Sequence, residues 1–163
     1  MTQTTKEEIS HWDKILDEYE NSLGLPTYMA ESMPESELQN YLSMNRTDIE
    51  KLTPIDCAEI SYRLAQYAFH IQRSINRELS RLNWVEENIK MVISEEINNY
   101  KGYGYIEKSY QAIKNNSRAT SLQKVKVYAK QRSDRLSYIA NNIKNLADTM
   151  INVQKAKVNH GNQ

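Results

Sequence analysis

Apolar residues follow helical spacing through most of the chain, and two stretches carry that spacing furthest. From Ile60 the positions Ile60, Leu64, Tyr67, Ile71, Ile75, Leu79, Leu82, Val85, Ile89 and Val92 recur in steps of three and four. These steps trace one buried stripe along a single helix. Thr53-Pro54-Ile55-Asp56 supplies its start: a capping hydroxyl, a proline at the first helical position and an acid three residues after the cap. With neither Gly nor Pro from Ile55 to Tyr100, the pattern predicts a helix over 53–100, roughly 70 Å long at about 1.5 Å per residue. A second stretch steps 3-4-3-4 through Leu122, Val125, Ala129, Arg132, Leu136, Ile139, Ile143, Leu146, Met150 and Val153, broken only by Arg132. A sustained 3.5-residue repeat is a coiled-coil seam, and a lone charge in it sets register or ends the packed zone.

Between the two, Tyr100-Lys-Gly-Tyr-Gly-Tyr105 offers glycines that can take positive φ and reverse the chain. A short helix, 106–114, and a polar loop, 115–120, are expected next, with Thr120 or Ser121 capping the final helix, 121–158. The fold class is therefore all-α: a long antiparallel helical hairpin or coiled coil over 53–158. Ahead of it, residues 1–52 read as an acidic, partly mobile arm with a short helix at 6–23 (Ile9, Trp12, Leu16 and Tyr19 on one face) and another near 36–44. Residues 159–163 read as a disordered tail. Two helices bury one seam each, which leaves Tyr62, Ala68, Trp84, Met91, Val127 and Tyr138 on the flanks. A homo-oligomer is expected to cover them, with Leu136, Ile139, Ile143, Leu146, Met150 and Val153 as its seam.

Composition agrees: four Gly and three Pro in 163 residues supply few of the turns a sheet requires. Cys57 is alone, so no intrachain disulfide forms, and no apolar run is long enough to span a membrane. The first residues lack the basic and apolar blocks of a secretory signal, so a cytoplasmic protein is expected. The formal net charge of zero divides into −9 over residues 1–60 and +9 over 61–163. Such asymmetry points to a polyanionic partner, with the acidic part as a tail or mask.

Catalytic readings find no support. His11, His70 and His160 lie far apart, and Glu8-x-x-His11 occurs once where a di-iron bundle needs the pair twice. Gly102-x-Gly104 lacks the rest of a dinucleotide fingerprint. Glu86-Glu87 and Glu95-Glu96 are adjacent on a helix and point apart. No enzyme, metal or cofactor is expected.

A binding signal is clearer. Lys114, Arg118, Lys124, Lys126, Lys130, Arg132 and Arg135 are opposed over that stretch by Asp134 alone. Just before them Tyr100, Tyr103, Tyr105 and Tyr110 interleave with Lys101 and Lys108, and Arg73, Arg77 and Arg81 form a second stripe at spacing four. Lysine and arginine neutralise phosphates, and tyrosines beside a glycine turn can stack unpaired bases. Single strands suit such a surface, since no zinc finger, homeodomain or RNP motif is present. The opposing possibility is that the tyrosines pack the hairpin end and the charges keep a long helix soluble.

A long charged helix, a Tyr-rich glycine turn and a second helix of alternating basic and apolar positions resemble the UvsY-type recombination mediators of bacteriophages, over roughly 55–158. The resemblance implies an oligomeric, non-catalytic protein of the host cytoplasm. Such a protein binds single-stranded DNA and helps load a recombinase onto strands covered by single-strand-binding protein. On that footing Lys101, Lys124, Lys126, Lys130 and Arg132 would contact phosphates and Tyr103 and Tyr105 would stack bases, with Lys108, Lys114, Arg118 and Arg135 extending the surface. The alternative class is a structural or scaffolding coiled coil whose basic helix contacts an acidic protein surface.

Overall fold

The computed structural model describes residues 3–23, 33–102 and 104–161, and every described element is helical. These are α1 (Gln3–Ser22), α2 (Glu35–Leu42), α3 (Arg46–Lys51), α4 (Pro54–Ile93), a 3-10 turn (Ile97–Asn99), α5 (Tyr105–Asn115) and α6 (Ser117–Gly161). The chain divides into two compact units: residues 1–27 with 75–134, and residues 28–74 with 135–163. Residues 1–52 thus contribute to both.

Local chemistry explains most boundaries. Thr53 and Asp56 form the expected reciprocal cap: the Thr53 amide donates to Asp56 Oδ2 at 2.7 Å and the Asp56 amide to Thr53 Oγ1 at 3.1 Å. Those bonds hold the Asp56 carboxyl below its ordinary pKa, the backbone bond from Thr53 foremost. The short α3 has the same device in Asn45 and Asp48. Helix α4 stops at Ile93, earlier than expected, and turns carry the chain to Gly102, whose φ of 85° is the left-handed geometry glycine permits. The polar loop expected over 115–120 shrinks to one residue. Asn116 Oδ1 accepts from the Ala119 amide at 3.0 Å and caps α6, while the Thr120 hydroxyl donates back to the Ile113 carbonyl.

In the first unit, Ile75–Ile93 of α4 run antiparallel to residues 117–134 of α6. Val85, Ile89 and Ile93 meet Ala119, Leu122 and Val125, closed by Ala112 of α5 and flanked by Ile9, Trp84, Ile97, Tyr100 and Ile113. In the second unit, residues 54–74 run antiparallel to 135–161. Cys57, Ile60, Leu64 and Ile71 of α4 and Ala140, Ile143, Ala147 and Met150 of α6 are buried there, with Met33 and Leu38. The helices approach closely: the Ser61 hydroxyl donates to the Ala147 carbonyl at 3.0 Å. Outside this line Lys157 Nζ donates to the Glu50 carbonyl, and Arg63 pairs with Glu37 at 2.9 Å.

The buried register departs from the expected one at two places. On α4 it follows a strict heptad through Cys57, Ser61, Leu64, Ala68, Ile71, Ile75, Glu78, Leu82, Val85 and Ile89. Glu78 is 5% exposed, and its neighbour Leu79 faces out. On α6 the line runs through Leu122, Val125, Ala129, Ser133, Leu136, Ala140, Ile143, Ala147 and Met150, one residue past Arg132. Of the residues expected to form an oligomer seam, Ile143 and Met150 are therefore buried within their own unit. Leu136, Ile139, Leu146 and Val153 are half-buried along the same side of α6.

Candidate nucleic-acid interface

The acidic helix α1 decides how much positive charge the first unit presents. Arg118 Nη2 lies 2.8 Å from Glu8 Oε1, Arg77 pairs with Asp17, and Arg81 Nε lies 3.1 Å from Asp13 Oδ1. Trp12 of α1 stacks in an offset on Trp84 of α4, centroids 6.3 Å apart. Arg73 also has a partner. The stripe Arg73, Arg77 and Arg81, read from sequence as a second phosphate-binding surface, is thus occupied by the protein's own groups.

Arg81 is the hub of a further arrangement. Its Nη1 donates to Glu78 Oε1 at 2.7 Å, and Arg132 Nε reaches the same oxygen at 3.3 Å. Glu78, the charged residue in the buried line of α4, therefore meets Arg132, which lies beside the buried line of α6. Asp13 above all, together with Glu78, raises the Arg81 pKa further, so the guanidinium stays charged at any pH the fold survives.

Three of the expected phosphate contacts are committed internally in this way: Arg118 to Glu8, Lys126 to Glu86 at 3.0 Å, and Arg132 to Glu78. Lys101, Lys108, Lys114, Lys124, Lys130 and Arg135 have no carboxylate within ion-pair distance among the described residues. Arg135 belongs to the second unit. The other five lie in the first unit within a segment, 101–130, whose single acid is Glu107.

The tyrosines divide. Tyr100 packs against the apolar cluster, and its hydroxyl accepts from Asn115 Nδ2 at 2.7 Å. Tyr105 and Tyr110 do not pack the hairpin end: they are 74% and 66% exposed. Tyr110 shares an outward face of α5 with Ile106 and Lys114, four residues to either side. Lys124 and Tyr128, also four apart and both exposed, repeat that pairing on α6. Tyr103 lies outside the described residues. A cleft of about 240 Å³ between α4, α5 and α6 is lined by Tyr105, Ile113 and Lys126 among others. The sequence pattern does not mark Tyr128, because neighbouring Val127 and Ala129 mask its outward position.

The remaining chemistry-bearing residues do not assemble. Cys57 is fully buried, and burial raises its thiol pKa. His70 stacks on Tyr67, 6.1 Å between centroids, while His11 lines a small cleft beside Glu8 and Trp12. Among the described residues no three His, Cys, Asp or Glu side chains are placed to hold a metal ion. Nor is any described helix long and apolar enough to cross a membrane. No family model, curated protein or solved structure matches this chain.

Proposed function

We propose that this protein is a non-catalytic single-stranded DNA-binding protein whose contact surface is formed by Lys101, Tyr105, Lys108, Tyr110, Lys114, Lys124, Tyr128 and Lys130. The observation that carries this reading is the exposure of Tyr105 and Tyr110 beside lysines with no acidic partner. Aromatic rings left in water at that cost, next to uncompensated cations, match what an unpaired strand needs: charge for the backbone and faces for the bases. Duplex readout has no sequence signal, since no zinc finger, homeodomain or RNP motif is present. Within this reading the biological role is that of a recombination mediator, as in the UvsY-type proteins the sequence resembles, with a recombinase and a single-strand-binding protein as its partners.

A structural or scaffolding coiled coil is the second reading. It is favoured by the docking of α1, where Arg77, Arg81 and Arg118 pair with carboxylates of an acidic helix. Anisotropy of labelled oligo-dT separates the two. Lys108→Glu with Lys114→Glu is expected to remove binding while far-UV circular dichroism is unchanged. Wild-type affinity in that variant, or no affinity in the wild type at low salt, favours the scaffold.

A further inference from the structure

Helix α4 carries a second heptad line, on the side turned away from the hairpin. Ile55, Tyr62 and Phe69 are seven residues apart and 77%, 63% and 78% exposed. At about 100° per residue they lie roughly opposite Leu64, which is fully buried in the second unit. Ala58 and Ala65 fall between them, so the line reads large, small, large, small, large in 3-4-3-4 steps. The Tyr62 hydroxyl accepts from Gln66 Nε2 at 2.9 Å, which holds the ring along the helix.

We infer that this face binds a second copy of the chain, α4 against α4, in an antiparallel two-fold dimer. Two features select that occupant. The alternation is self-complementary: a dyad midway between Tyr62 and Ala65 places each Tyr62 over the partner copy's alanine at 65, and each Phe69 over its alanine at 58. An isologous contact requires this reciprocity. Area agrees as well. Two aromatic side chains and an isoleucine at this exposure offer on the order of 450 Å² per copy, at the upper range for a patch left bare on a monomer. Doubled, and with flanking Glu59, Gln66 and Gln72, this approaches the roughly 1,200 Å² at which specific dimers begin.

The dimer stands apart from the nucleic-acid reading, since its residues lie in the second unit and the lysine–tyrosine surface in the first. Sedimentation equilibrium of the full chain over a concentration series tests it. The wild type is expected to be a dimer, and Phe69→Asp to raise its dissociation constant roughly a thousandfold, because each dimer loses the ring twice at about thirtyfold per hot-spot side chain. Ala65→Trp should also weaken it by filling the position the partner's Tyr62 ring covers. Met91→Asp, at an exposed apolar residue of the first unit, should leave it unchanged. A wild type that is monomeric at every concentration overturns the proposal, as does a dimer that Phe69→Asp leaves at full strength.

Discussion

Arg81→Met tests the network where α1, α4 and α6 of the first unit meet. The substitution keeps an unbranched apolar stem and removes the guanidinium that binds both Glu78 and Asp13. Glu78, 7% exposed at its side chain, would keep only Arg132 at 3.3 Å. Breaking a buried pair by deleting one partner costs about 3–5 kcal/mol, because an uncompensated charge stays behind. Arg81 is 23% exposed and Arg132 persists, which reduces the expected loss to about 2–3 kcal/mol. In urea, at a slope of about 2 kcal/mol per molar, the midpoint should fall by about 1 M. Glu78→Met makes the opposite case: Arg81 retains Asp13, an apolar side chain enters an apolar line, and stability should change by less than about 1 kcal/mol. Circular dichroism at 222 nm through a urea series reads both. An Arg81→Met midpoint within error of wild type would refute the reasoning, showing the network to be solvated and of no net consequence.

Other consequences follow from single residues. Leu122→Ala, at a fully buried position beside Val85 and Ile89, should cost about 2–4 kcal/mol in the same assay. Asp13→Asn with Asp17→Asn should loosen α1 and uncover Arg77 and Arg81, raising oligo-dT affinity about five- to tenfold at low salt by anisotropy; a loss of affinity would contradict the masking role. The Tyr41 phenol, desolvated and donating to Glu37 at 2.7 Å, has its pKa pushed up to about 12. A raised folded pKa means that this stabilising bond is complete below about 10 and is lost as pH rises through about 12. A phenolate absorbance titration should therefore lose a component near 12 in Tyr41→Phe. Cys57, buried and with its thiol pKa raised, should react with a thiol reagent only as fast as the native fold opens.

The hairpin was legible because its signals are local or periodic. Thr53 and Asp56 fix a start that needs no tertiary information, and a 3-4 spacing over many turns survives one misplaced residue. Glu78 and Arg132 show where that reading fails. Spacing by hydrophobicity chooses Leu79 over Glu78, and only the geometry of the opposing helix reveals that a carboxylate takes the buried position because a guanidinium faces it. Asn116 was hidden for a related reason: a run of polar residues looks like a loop, yet one amide side chain suffices to end α5 and cap α6. The basic surface was legible as composition. Which cations are spent internally was not, since Arg118 meets Glu8 across 110 residues of sequence. Of the outward line Ile55, Tyr62 and Phe69, only Tyr62 stood out as an uncovered flank, because the line shares a helix with a stronger apolar stripe.

The salt dependence of oligo-dT binding tests the central claim most directly. Five uncompensated lysines, each releasing a counterion from a single strand, give a slope of about −3.5 in log affinity against log salt. Between about 50 and about 200 mM salt the affinity should fall roughly a hundredfold, with Tyr105→Ala and Tyr110→Ala weakening binding without altering that slope. Binding that is flat across the same range, or absent at the lower salt, would contradict the account.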